Sequence, residues 1–199
     1  MELQHLSNII QGNIPTRIET AVGKLIETIT MQELNYIANV SDDLPIEKFL
    51  KVQDDKIPTY SLTQKHDVVV GLSSGKAIVI ESKRANKLIL SNLAIIRIND
   101  NNILDPYYLC WFINNNNSAL KQFKRLKQAT TAVSIIPLSM LKCFEIKLLP
   151  IEKQRLIGRI YELKRKRDRL TQIIELKKSN VLSQKLINFY AEETENGNK

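Results

Sequence analysis

Cysteine and histidine are scarce in this 199-residue chain, with two of each. Cys110 and Cys143 make no disulfide framework, so both thiols are expected to be reduced. His5 and His66 stand at no ligand spacing from a Cys or carboxylate pair, so neither a structural zinc site nor a Ser-His-Asp arrangement is expected. Six glycines and six prolines exclude collagenous and low-complexity classes. No apolar run approaches the roughly 20 residues of a membrane-spanning helix, and the start Met1-Glu2-Leu3-Gln4-His5 lacks the basic flank and apolar block of a secretory signal. These absences predict a soluble, cytoplasmic protein with no metal, no cofactor and no membrane partner.

What is present fits one ordinary globular domain plus an appendage: 43% hydrophobic and 25% charged residues. The net charge of +8 is unevenly spread. Residues 1–150 hold 17 Lys+Arg against 14 Asp+Glu, whereas residues 151–190 hold 11 against 4. A basic stripe of this kind points to an anionic partner, most often nucleic acid, and a solvated helix face has the same composition.

Residues 3–62 mix short apolar and polar segments, punctuated by turns at Gly12-Asn13-Ile14-Pro15 and Asp42-Asp43-Leu44-Pro45. From Asp67 the pattern sharpens. The β-branched runs Val68-Val69-Val70 and Ile78-Val79-Ile80 flank Ser73-Ser74-Gly75-Lys76 and predict a hairpin. Further strand is expected at Leu88-Ile89-Leu90 and Ala94–Ile98. Asp105-Pro106 predicts a helix start, with Asp as cap and Pro at the first position. A second helix is expected from Ser118 to Leu126, and a last strand over Phe144–Leu149. The fold class is therefore α+β: a mixed domain followed by one long C-terminal helix.

From Ile151 to Tyr190 there is no Pro and only Gly158, so an unbroken helix of about 60 Å is expected at about 1.5 Å per residue. Leu156, Ile160, Leu163, Arg167, Leu170, Ile174, Lys177 and Val181 fall at alternating four- and three-residue steps. This is a coiled-coil seam, and Leu156, Ile160, Leu163, Leu170, Ile174 and Val181 are its apolar, candidate dimerisation residues. With no other segment of comparable length, a second chain is the expected partner; a helix folded back on its own domain is the alternative. Arg167, on the seam, is expected to snorkel or to meet a carboxylate of the partner helix.

Several motifs invite catalytic readings. Gly71-Leu72-Ser73-Ser74-Gly75-Lys76-Ala77 departs from a phosphate loop in its glycine spacing and in Ala77, where a magnesium-binding hydroxyl belongs. Asp67, Glu81 and Lys83 form the constellation of a metal-dependent DNA nuclease, in which two carboxylates hold the metal and the lysine assists the attacking water. The same residues also read as a turn that starts a strand and an exposed strand end. Asp105-Pro106-Tyr107-Tyr108 resembles the Asp-Pro-Pro-Tyr signature of adenine-amino methyltransferases without its second proline, and a capped helix start accounts for it. No catalytic residue is assigned.

The order of parts resembles the target recognition domain of type I restriction-modification specificity subunits. The matching blocks are Asp67–Gly75, Leu90–Arg97 and Leu104–Leu109, then Thr130–Leu141, then Ile146-Lys147-Leu148-Leu149-Pro150-Ile151-Glu152-Lys153-Gln154. Pro150 and Gln154 match that family's entry into its long spacer helix. His66 and Ala129 stand where the family usually has glycine. The resemblance implies a non-catalytic, sequence-specific subunit that binds double-stranded DNA and positions methyltransferase (M) and restriction (R) subunits. A full subunit holds two recognition domains and two long antiparallel helices, so one of each implies a half-subunit that forms a homodimer on a bipartite inverted repeat. The expected domains are 1–149 for target recognition, 150–190 for the spacer helix and 191–199 as a disordered tail. Candidate DNA-binding residues are Ser73, Ser74 and Lys76 in the hairpin loop, Lys83 and Arg84 at the strand end, Gln128, Thr130 and Thr131 in the polar loop, with Arg17 and Gln32 from the amino-terminal part. A protein-interaction module whose basic helix docks an acidic partner is the rival class.

Overall fold

The computed structural model describes residues 1–53, 57, 59–128 and 135–196. It divides into two compact units, Met1–Tyr161 and Glu162–Lys199. The first contains β1 (Ser7–Gln11), α1 (Pro15–Ile18), β2 (Lys24–Ile29), α2 (Met31–Ile37), β3 (Lys48–Val52), β4 (Val68–Gly71), β5 (Ala77–Val79), β6 (Leu88–Ile89), β7 (Leu93–Ile98), α3 (Pro106–Asn115), α4 (Asn117–Gln128) and α5 (Leu138–Lys142). The last helix, α6 (Ile151–Asn196), begins in this unit and makes up the second.

The central sheet is antiparallel, in the order β1-β7-β4-β5. Its strands show why the sequence has continuous β-branched runs rather than alternation. Val68, Val70, Ala77, Val79, Ala94 and Ile96 face one core with Tyr108, Leu109, Phe112 and Phe123 of α3 and α4. Val69, Ile78, Ile80, Leu93 and Ile95 face a second core closed by Leu34 of α2. A strand covered on both faces has no solvent side to place polar residues on. A second sheet, in the order β3-β2-β6, pairs β2 antiparallel with β3 and parallel with β6.

The hairpin between β4 and β5 forms as expected, with Val68 opposite Val79 and Val70 opposite Ala77. Gly75 closes it at φ 69°, donating its backbone N–H to Gly71 O at 2.7 Å; the left-handed backbone is why glycine stands there. His66 also adopts a left-handed conformation, φ 74°. The turn entering β4 uses this left-handed backbone, which a histidine supplies at a steric cost.

Helix α3 starts as its sequence predicts. The Asp105 side chain accepts from Tyr108 N at 2.8 Å and Pro106 occupies the first turn. Two amide side chains stand in for missing strand partners. Asn114 accepts from Ala77 N at 2.9 Å and donates to Ala77 O at 2.8 Å, and Gln122 donates to Glu145 O and accepts from Glu145 N, both at 2.9 Å.

Three expectations are corrected. The strand expected over Phe144–Leu149 is a single bridge, Glu145 to Glu2. Its alternating burial is real, with Phe144 and Ile146 buried, but its partner is the first few residues of the chain, which turn into a 3-10 helix at Leu3–His5 and end the ladder. The tail expected from residue 191 is helical as far as Asn196; no Pro or Gly interrupts before Gly197. The unit boundary also falls beyond residue 149, because the first turns of α6 pack into the first unit through Gln154 and Gly158.

Candidate nucleic-acid interface

The hairpin tip and α2 are neighbours. Ser74 Oγ lies 3.8 Å from Met31 Sδ and accepts from Lys76 N at 3.2 Å. Ser73 is exposed and Lys76 half-buried. Gln32, one residue after Met31, is exposed and donates to Leu44 O at 3.1 Å. On its other side the tip rests on α4, since a Cβ at Gly75 would lie 3.5 Å from the Phe123 ring. Ser73, Ser74, Lys76 and Gln32 are thus brought to one region. Arg17, exposed on α1, has no described contact with that region. Thr130 and Thr131 lie outside the described residues, as does the side chain of Gln128, whose backbone ends α4.

Lys83 and Arg84 have a different setting. They form a 3-10 turn, Ser82–Arg84, inside a network of both signs. Arg84 Nε donates to Glu33 Oε1 at 2.9 Å and its Nη1 lies 3.8 Å from Glu81. Lys83 pairs with Glu81 at 3.6 Å. Lys87 pairs with Glu27 and, at 3.6 Å, with Glu33. Arg84 and Lys87 therefore brace α2 and β2 against the turn. A phosphate arriving here meets cations already engaged by carboxylates, with Glu47 on the wall of the same cleft.

Asp67, the leading carboxylate of the nuclease reading, is 2% exposed. Its Oδ1 accepts from Arg97 Nε at 2.9 Å, and its Oδ2 from Arg97 Nη2 at 2.8 Å and from Gln64 N at 2.7 Å. Both oxygens are committed to holding β4, β7 and the turn before β4 together, a fork geometry that leaves little for a metal. Glu81 faces Lys83 and Arg84. Among the described residues no group of three or more His, Cys, Asp or Glu side chains could hold a metal ion.

On α6, Leu156, Ile160, Leu163, Leu170, Ile174 and Val181 are each 50–61% exposed. Three cations of the basic run are paired along their own helix. Lys166 pairs with Glu162 at 2.6 Å, Lys164 with Asp168 at 3.4 Å, and Arg167 donates to Asp168 at 2.7 and 3.1 Å. Arg167, expected to meet a carboxylate of another chain, has one next to it. Its hydrogen bonds hold the Asp168 carboxyl below the usual carboxylate value. No described helix is long and apolar enough to cross a membrane.

The cations that sequence reasoning passed over are on α4. Lys121, Lys124 and Arg125 are exposed, and Asn117–Gln128 contains no acidic residue. The signal was there as Lys-x-x-Lys-Arg, overshadowed by the denser run at 164–169.

Solved structures share this architecture. The HsdS subunit from Thermoanaerobacter tengcongensis superposes with a TM-score of 0.56 at 18% identity, over 86% of this chain and 38% of its own. The S subunit of a type I restriction-modification system from M. genitalium gives 0.54 at 17% identity, over 88% and 41%. A chain from a study of complex assembly and conformational transition in a type I R-M system gives 0.61 at 12% identity, over 87% and 43%. No protein-family model and no curated protein matches the chain. The chain thus has the fold of type I restriction-modification S subunits, a mixed α+β domain with a long helix. It spans about two-fifths of the length of the S subunits it matches.

Proposed function

We propose that this chain is a non-catalytic, sequence-specific DNA-recognition subunit of a type I restriction-modification system, working as a homodimer. The observation that carries the reading is the fold shared with S subunits. The engagement of both Asp67 oxygens by Arg97 and Gln64 supports a recognition role over the nuclease one. The hairpin tip and Gln32 would contribute to base reading, and Thr130 and Thr131 are retained as further DNA contacts.

Dimerisation through α6 is supported by the exposed leucines and isoleucines of its seam. The seam also favours one direction. In a parallel pair Arg167 would face Arg167 and Lys177 would face Lys177, two layers of like charge. In an antiparallel pair with its twofold axis between Asp168 and Arg169, Leu163 faces Ile174, Leu156 faces Val181, Arg167 faces Leu170 and Ile160 faces Lys177. No two cations then meet, and the long stems of Arg167 and Lys177 cover apolar neighbours. Such a pair is isologous, and two identical recognition domains would read an inverted repeat. The dimer would hold M subunits, and R subunits in the larger assembly, on that site in the cytoplasm.

The test is methylome sequencing of cells that carry this chain with a cognate methyltransferase subunit. A newly methylated bipartite motif supports the proposal. An unchanged methylation pattern favours an interaction module that never meets DNA.

A further inference from the structure

Among the described residues, several cations of this chain are engaged by carboxylates. Arg84, Lys87 and Arg97 in the first unit are tied to Glu33, Glu27 and Asp67. Lys164, Lys166 and Arg167 on the second are tied to Glu162 and Asp168. Lys121, Lys124 and Arg125 differ: among the described residues they form no ion pair, and their helix holds no carboxylate.

These three side chains stand at i, i+3 and i+4, on one face of α4 and within about 6 Å of each other along its axis. The helix that carries them is fixed from behind. Ala119 and Phe123 are buried in the core, and Gln122 grips the Glu145 backbone with two hydrogen bonds. Lys121 and Arg125 line an open cleft of about 540 Å³ with Ser118, Gln122, Cys143 and Glu145. The hairpin tip rests on the same helix through Gly75 and Phe123.

We propose that the Lys121–Lys124–Arg125 face of α4 is the phosphate-backbone clamp of the recognition domain, holding the duplex without regard to sequence while the neighbouring hairpin tip reaches the bases. The proposal rests on the DNA-binding reading above and names the part of the surface that carries its electrostatic component. DNA is favoured over an acidic protein by the make-up of the face. Lysine is depleted from protein–protein interface cores, whereas rows of Lys and Arg with small polar neighbours are what a phosphate backbone draws. A rigid helix also spends little entropy in ordering its cations on binding.

The test compares two variants of equal charge change in the full-length chain. One is Lys121→Gln, Lys124→Gln, Arg125→Gln; the other is Lys164→Gln, Arg165→Gln, Lys166→Gln, which leaves the seam residue Arg167 in place. Affinity for a random-sequence duplex is measured across a range of salt concentrations, with thermal unfolding followed to confirm that both variants fold. Each lost phosphate contact removes about 0.9 from the slope of log K against log salt. The α4 variant is expected to flatten the slope by about 2 to 3 and the α6 variant to change it much less. If wild type binds and the α4 variant keeps the wild-type slope, the clamp is overturned while DNA recognition stands. Equal flattening by both variants overturns it too, since net charge alone then explains the effect. A wild-type chain that binds no duplex at any salt removes DNA recognition itself, and the clamp with it. An α4 variant that keeps its slope but loses affinity for an acidic methyltransferase subunit reassigns the face to protein docking.

Discussion

Gln154 Oε1 accepts a hydrogen bond from Asp105 N at 3.0 Å, joining the second turn of α6 to the residue that caps α3. The same Gln154 side chain donates to Leu149 O at 2.7 Å and to Ile103 O at 2.9 Å, and it is 1% exposed. One amide thus satisfies three backbone groups, two of them in the loop before α3. One turn on, a Cβ at Gly158 would lie 2.7 Å from Asp105 Oδ1 and 2.9 Å from Tyr108 N. Gln154 and Gly158 together set how closely α6 starts against α3. Gln154→Ala leaves three buried groups without partners and should lower stability by about 3 kcal/mol. Gly158→Ala should cost about 2 kcal/mol by forcing the helices apart. Urea unfolding of the two variants checks both values; losses below about 0.5 kcal/mol would show that the junction is not built this way.

Asp67 separates a structural from a catalytic role. Replacing it with Asn removes the charge that the Arg97 fork binds and should destabilise the fold by about 3 kcal/mol, as the breaking of a buried pair does. The measurement is unfolding free energy beside magnesium-dependent cleavage of duplex DNA. A wild-type chain that cleaves DNA, with an Asp67→Asn variant that is stable and inactive, would restore the nuclease.

Tyr108 gives the fold an alkaline limit. Its hydroxyl donates to Lys147 O at 2.7 Å, and burial raises its pKa above the ordinary 10.0. The folded state therefore keeps its proton at pH values where the unfolded chain has lost it. This stabilisation is complete below about pH 10 and declines as pH rises from there toward the folded value. Tyr108→Phe should lose about 1 kcal/mol at neutral pH and show a weaker decline above pH 10. Parallel pH profiles for the two proteins would contradict the assignment.

Much of this was legible locally. The β4–β5 hairpin, the Asp105-Pro106 helix start and the unbroken α6 rest on signals within a few residues of one another, and each forms. The β3-β2-β6 sheet was not legible, because β6 joins β2 in parallel from about 60 residues away and strands of two to six residues leave little periodicity to read. The candidate site divides along the same line. Ser73, Ser74 and Lys76 lie where their turn places them. Arg84 is engaged by Glu33, 51 positions away, and Asp67 by Arg97, 30 positions away, so their roles were invisible to spacing. On α6 the cations' partners are local, at one and four positions, yet a run of like charge drew the eye past them.

The seam on α6 makes a direct prediction about assembly. Leu163→Asp with Ile174→Asp puts carboxylates directly opposite each other at both ends of the proposed antiparallel contact. The variant should sediment as a monomer at micromolar concentrations where wild type sediments as a dimer, with unchanged unfolding of the first unit. Wild type that sediments only as a monomer would contradict the dimer.

If two copies of this chain read DNA as a symmetric pair, the duplexes they select from a random-sequence library carry that symmetry. The full-length protein is incubated with the library, bound duplexes are recovered and sequenced, and the Leu163→Asp, Ile174→Asp variant is carried in parallel. The prediction is enrichment of one motif composed of two identical half-sites in inverted orientation at fixed spacing, with the paired motif absent from the variant's selection. Recovery of no enriched sequence by wild type, or of an asymmetric site unaffected by the seam substitutions, contradicts it.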